Sequence, residues 1–142
     1  MPLRHSLAIA ALLASLAAAS AEAEVRRFSA ALNPTQEVPA AVSQGQGTAS
    51  LILDTTTRKL TWTITWRGLT GPATAAHIHG PATPVENAGV VINLAPQGMK
   101  TPLAGSAELT EAQVTALLAG RYYINVHTDQ NKAGEIRGQL YP

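Results

Sequence analysis

The sequence predicts an all-β domain, an antiparallel β-sandwich or barrel with one short helix near residues 111–119. Three observations lead there. Large apolar residues alternate with polar ones in paired segments on either side of turn-forming residues, the pattern of antiparallel strands half-buried on one face. Only one segment has a helical period. The strand–helix alternation that a parallel sheet requires is missing.

Taken in order, residues 25–32 form a first strand, with Phe28, Ala30 and Leu32 alternating against Arg27, Ser29 and Ala31. In the stretch that follows, Pro34 and Pro39 forbid a helix or a central strand and leave an extended loop through Glu37. Residues 48–55 and 59–68 make a hairpin. Leu51 and Leu53 on one side match Leu60, Trp62, Ile64 and Trp66 on the other, and Asp54-Thr55-Thr56-Thr57-Arg58 supplies the turn. Thr61, Thr63 and Thr65 form the solvated face, and the two Trp belong in the core or at its rim, with an aromatic sugar platform as the sharper alternative.

A short strand follows at residues 74–79, closed by Gly80-Pro81, then strands at 90–94 and 104–109. The helical segment starts at Thr110 as N-cap with Gln113 as its capping-box partner and stops at Gly120. Val114, Leu117 and Leu118 give it one apolar face. The last hairpin spans residues 120–140. In it Ile124, Val126, Ile136 and Leu140 share an apolar face, while Tyr123, Asn125 and His127 on the first strand and Glu135, Arg137 and Gln139 on the second lie opposite.

The chain of 142 residues is one domain's worth. Its first 21 read as a signal peptide: Arg4 and His5 form a basic start, an apolar run from Leu7 to Ala19 follows, and the small residues permit cleavage after Ala21 or Ala23. An uncleaved anchor is the alternative, but the apolar run falls short of the roughly 20 residues a spanning helix needs. Residues 22–142 then form a single domain, secreted or periplasmic, without membrane attachment after cleavage. Ten Lys and Arg less Arg4 leave nine against nine acidic residues, so the mature chain is close to neutral and its cations are scattered. Nucleic acid and anionic membranes call for clustered cations and are not expected partners. Cysteine is absent, which excludes thiol catalysis and thiolate metal sites.

Chemistry concentrates in the histidines. His77 and His79 stand two apart on one strand, so both rings project from one face with Cα atoms roughly 6.5–7 Å apart, within reach of one metal ion. His127 is the third histidine of the mature chain. A closed β-structure can bring the two segments together, and neutral imidazoles suit copper or zinc. The competing reading is a metal-free network in which the histidines are pinned by hydrogen bonds among Glu135, Asn125, Arg137 and Tyr123, with Glu135 and Arg137 forming a salt bridge. Strand parity places Glu135 on the face of His127. No G-x-S-x-G, H-E-x-x-H, phosphate loop or paired carboxylates point to catalysis, and Ser43, Ser50 and Ser106 offer no reason to prefer any as a nucleophile.

Glu37-Val38-Pro39, Ala76-His77-Ile78-His79-Gly80-Pro81-Ala82, Tyr123-Ile124-Asn125-Val126-His127-Thr128 and Gly134-Glu135-Ile136-Arg137-Gly138-Gln139-Leu140 occur in that order. Over residues 25–141 the chain resembles the CHRD domain, the chordin repeat, in its single-domain exported bacterial form. The resemblance implies an extracellular or periplasmic β-domain, immunoglobulin-like or barrel-like, without an established catalytic activity. The pairing of His-x-His with a distant histidine is also similar to the copper site of Cu/Zn superoxide dismutase, but it lacks that site's additional histidine and aspartate ligands. Three functions follow as expectations. The first is a non-catalytic module binding copper or zinc. The second is a structural domain, or one that binds an unidentified extracellular protein, and a dismutase-type oxidoreductase comes last.

Overall fold

The computed structural model describes residues 24–142, and the expected signal peptide and its cleavage sites at Ala21 and Ala23 lie outside them. Eight strands, one α-helix and a single 3-10 turn follow in the order β1 (Val25–Leu32), the 3-10 turn (Pro34–Gln36, within the stretch expected to be an extended loop), β2 (Gln46–Asp54), β3 (Lys59–Arg67), β4 (Ala73–His79), β5 (Val90–Asn93), β6 (Leu103–Glu108), α1 (Glu111–Leu118), β7 (Tyr123–Thr128) and β8 (Ile136–Gln139). They form two antiparallel four-stranded sheets, ordered β1-β2-β3-β6 and β5-β4-β7-β8. The all-β sandwich expected from the alternation is what the chain adopts.

The β2–β3 hairpin shows why. Leu51 lies opposite Trp62 and Leu53 opposite Leu60, so one register places Leu51, Leu53, Leu60, Trp62 and Ile64 on a single buried face, with Ile52 on the other beside Thr61. The turn is held by Asp54, whose carboxylate accepts from the Thr56 and Thr57 amides at 2.9 and 3.0 Å. Those Leu and Trp side chains meet Ile78, Ile124, Val126 and Ile136 from the second sheet in one core, to which Leu117 of the helix and Leu140 also belong. At roughly 25 cal/mol per Å² of apolar area removed from water, this interior is the main source of stability. Trp62 is buried and donates its indole N–H to the Leu94 carbonyl at 3.3 Å, whereas Trp66 is half-buried against the core edge. Burial of Trp62 removes the two-Trp sugar platform.

The helix has the expected capping box, with the Thr110 hydroxyl accepting from the Gln113 amide and the Gln113 side chain accepting from the Thr110 amide. The two sheets are also stitched together along one edge. β8 and Tyr141, two residues beyond it, meet the end of β1 through isolated bridges, Arg137 with Asn33 just after that strand and Tyr141 with Ser29 inside it. Gly138 makes the close approach possible, since a Cβ there would stand 2.6 Å from the Ala31 carbonyl oxygen. Among the described residues no helix is long and apolar enough to cross a membrane.

Candidate metal centre

The outer face of the second sheet carries the chemistry. β4 and β7 pair with His77 opposite Asn125, His79 opposite Tyr123 and Ala75 opposite His127, which puts all three histidines on one pleat face around Asn125. One ring nitrogen from each of His77, His79 and His127 lies within 4.8 Å of the other two. The adjacency of the two segments, which strand parity alone does not give, comes from this register.

Backbone carbonyls fix the ring states. His127 Nδ1 donates to the Lys132 carbonyl at 2.9 Å, and His79 Nδ1 donates to the Ala88 carbonyl at 2.9 Å. A carbonyl only accepts, so a neutral His127 carries its proton on Nδ1 and its lone pair on Nε2, whereas His79 faces an acceptor oxygen at each nitrogen and a neutral ring there can donate to only one of them. The lone pair of His127 Nε2 faces His77 Nδ1 at 3.1 Å. With the His79 proton on Nδ1, the lone pair of its Nε2 faces Asn125 Oδ1 at 3.0 Å. Turning the amide does not relieve this second contact, because Asn125 Nδ2 donates to the Ala133 carbonyl at 3.3 Å and its oxygen would replace it there. Two acceptors at that distance are reconciled by a cation between them, a proton or a metal ion.

Distances decide what the cluster can hold. On an ion with bonds of about 2.0–2.1 Å, two nitrogens 3.1 Å apart subtend about 98°, between square-planar and tetrahedral. Ligands on opposite sides of such an ion are about 4.2 Å apart at most, so the outer limit of 4.8 Å asks for a closure of less than about 1 Å. Burial lowers the pKa of His77, and the neighbouring charges of His127 and His79 lower it further. Burial also lowers that of His127, against the opposing Lys132 carbonyl. Both rings therefore stay neutral, the ligating form, further into acid than an exposed histidine.

Around the triad the sheet is braced by aromatic and cationic groups. The His79 and Tyr123 rings stack, with centroids 5.0 Å apart and planes within 4°. From the β8 side the Arg137 guanidinium lies 3.5 Å over the Tyr123 ring centre, a cation–π contact. Arg137 is 1% exposed. It donates to Asn87 Oδ1 at 3.0 Å and to the Thr83 and Glu86 carbonyls at 3.2 and 2.8 Å, pinning the loop that supplies the Ala88 carbonyl to His79.

Glu135 departs from expectation. Among the described residues the ion pairs are Arg26 with Glu24 and Arg58 with Glu108, and the expected Glu135–Arg137 salt bridge is not formed. The Glu135 carboxylate instead accepts from the Ser43 and Thr70 hydroxyls, the Thr70 amide, the Thr128 hydroxyl and the Asn131 side chain, at 2.5–3.2 Å. It makes no hydrogen bond to a histidine. The physical reason is a bulge at the start of β8: Val126 pairs with Ile136, yet its carbonyl also accepts from the Glu135 amide at 2.8 Å, so two residues oppose one and the Glu135 side chain leaves the face that parity assigns it. Burial pushes its pKa up, but the bonds from Ser43, Thr70 and Thr128 outweigh this and hold it at about 2.

Glu37 is the residue that sequence reasoning missed. It is 8% exposed, and its buried Oε1 has no hydrogen-bond partner. Burial drives its pKa up to about 7, against the Arg137 charge and the Asn125 amide, which pull it down. The sequence signal was a lone acid in a Pro-rich loop, which looks solvated until the loop is seen folded over β8. A groove of about 520 Å³ opens elsewhere, lined by Leu32, Asn33, Thr48 and Trp66 among others and by none of the histidines.

Fold and site together define a small β-sandwich domain with a histidine triad on the outer face of one sheet. The CHRD domain family matches residues 28–140, and the chain belongs to it. No curated protein and no solved structure matches the chain.

Proposed function

We propose that this CHRD-domain protein is a non-catalytic, secreted or periplasmic module that holds a transition metal, copper or zinc, through His77, His79 and His127. The observation that carries the reading is the facing of His79 Nε2 and Asn125 Oδ1 at 3.0 Å beside a second pair of ring nitrogens at 3.1 Å. Neutral imidazoles favour copper over zinc by the usual affinity order. Calorimetry with Cu²⁺ and Zn²⁺ on the untagged protein, and on His77→Ala, His79→Ala and His127→Ala, tests it. Binding at one ion per chain, lost in the variants, is the expected result. Unchanged affinity in all three variants refutes the site. Affinity falls in acid, at a pH below the ordinary histidine value of about 6.5 because burial lowers the His77 and His127 pKa values, as protons compete for the same lone pairs. Export is tested by mass spectrometry of the native product, where an intact Met1 would refute cleavage.

A second reading has its own support. His77 Nδ1 can donate to His127 Nε2, and a protonated His79 can donate to both Ala88 and Asn125, which makes the face a metal-free polar network in a structural domain or one that binds an extracellular protein. Loss of folding in the variants without any wild-type metal binding favours it. A dismutase-type oxidoreductase is the least supported reading. Copper binding without superoxide turnover, followed by electron paramagnetic resonance, removes it.

A further inference from the structure

We propose that Asn125 Oδ1 is the fourth ligand of the three-histidine site, making it a three-nitrogen, one-oxygen centre for a divalent borderline cation, Zn²⁺ or Cu²⁺, in preference to Cu⁺. The inference rests on the metal reading above and deepens it.

The geometry is the first ground. Asn125 is the direct cross-strand partner of His77 and lies on β7 between Tyr123 and His127, so it occupies the middle of the triad. Its Oδ1 stands 3.0 Å from His79 Nε2, and on an ion with bonds of about 2.0–2.1 Å that separation subtends about 94°, an ordinary angle between adjacent ligands. Asn125 is 2% exposed, so its oxygen has no solvent alternative to that contact.

The second ground is that the amide is held in the ligating orientation from behind. Asn125 Nδ2 donates to the Ala133 carbonyl, and the Glu37 carboxyl lies beside it in the same small space. That space exists because residue 134 is Gly at φ 137: a Cβ there would run into the Glu37 carboxylate and stand 2.7 Å from Asn125 Nδ2. The Ala133 carbonyl therefore holds the NH₂ end of the amide, and the oxygen end is left for a cation.

The donor set then states the ion class. Imidazole suits Zn²⁺ and Cu²⁺, an amide oxygen is a harder donor, and Cu⁺ prefers sulfur ligands, of which the described face offers none. Three imidazoles and one amide carry no charge, so the ion keeps its full positive charge on a sheet face next to buried Arg137. A carboxylate at residue 125 would offset that charge.

The test is a Zn²⁺ titration of isotope-labelled protein by NMR, reading the Asn125 side-chain carbonyl carbon and the histidine ring nitrogens, with calorimetry on Asn125→Leu, Asn125→Asp and His127→Ala. The expected result is that the Asn125 carbonyl shifts and saturates together with the histidine nitrogens at one ion per chain. Asn125→Leu weakens Zn²⁺ and Cu²⁺ by roughly tenfold or more while leaving Cu⁺ affinity, measured by chelator competition, unchanged. Asn125→Asp binds the divalent ions at least as tightly as wild type. Histidine shifts without an Asn125 shift, or wild-type divalent affinity in a folded Asn125→Leu, overturn the fourth ligand while the three-histidine site stands. Absence of wild-type binding overturns both. Should Asn125→Leu fail to fold by circular dichroism, the wild-type carbonyl shift and the Asn125→Asp affinities decide the matter.

Discussion

Replacing Glu37 by Gln should change not the stability as such but its dependence on pH. In the folded chain the Glu37 carboxyl is pushed up to about 7 from its usual 4.5, chiefly by burial. A raised acid contributes stability that is fully present below the unfolded value and is lost as pH rises through the folded one. Below pH 4.5 both states carry the proton. Between 4.5 and 7 the unfolded chain releases it first, and the difference between those two values corresponds to about 3 kcal/mol lost by neutral pH. Gln does not titrate and resembles the protonated carboxyl in shape. The stability of Glu37→Gln relative to wild type should therefore rise by about 3 kcal/mol from pH 4.5 to pH 7.5, and contributions from the histidines cancel in the comparison. Urea unfolding with a chelator present, followed by fluorescence of buried Trp62, measures the difference at each pH. A gap that stays flat to within about 0.5 kcal/mol, the range of surface changes, would mean that Glu37 is solvated and that its loop does not close over β8.

Glu135 should behave in the opposite sense: its depressed pKa, about 2 against the usual 4.5, contributes about 3 kcal/mol above pH 5 that is lost as pH falls toward 2. Glu135→Gln should therefore be destabilised by about that much at pH 7 and little at pH 2.5 in urea titrations; an equal loss at both would show that the carboxylate's charge is immaterial. Truncating Ile124, which is wholly buried, to Ala should cost about 2–5 kcal/mol in the same assay. A cost near zero would mean that β7 presents its other face to the core.

The parts legible in the sequence were those set by local period. Alternation in residues 59–67 and 123–128, the Thr110–Gln113 capping box and the stop at Gly120 each rest on interactions within a few residues. The histidine pair was legible too, since two residues along a strand return to the same face. Glu37 and Ser43 were not. Their roles depend on where long loops land, and Ser43 reaches its partner Glu135 across 92 positions of sequence. Parity also failed for Glu135, because Glu135 and Ile136 both stand opposite Val126 in a bulge that alternation does not foresee.

The bridges that join β1 to the end of the chain have a kinetic meaning. Ser29 pairs with Tyr141 and Asn33 with Arg137, so the first strand, paired early with β2 on one side, meets its second neighbour only after roughly 110 more residues have been made. Until then the Val25–Leu32 edge is an unpaired template, with Phe28 and Leu32 short of the strand that completes their cover. That seam joins the two ends of the domain, the pairings of greatest sequence separation between its strands. A nascent chain halted before Ile136 would expose this edge to neighbouring chains, and the aggregates that formed would be joined through the first strand.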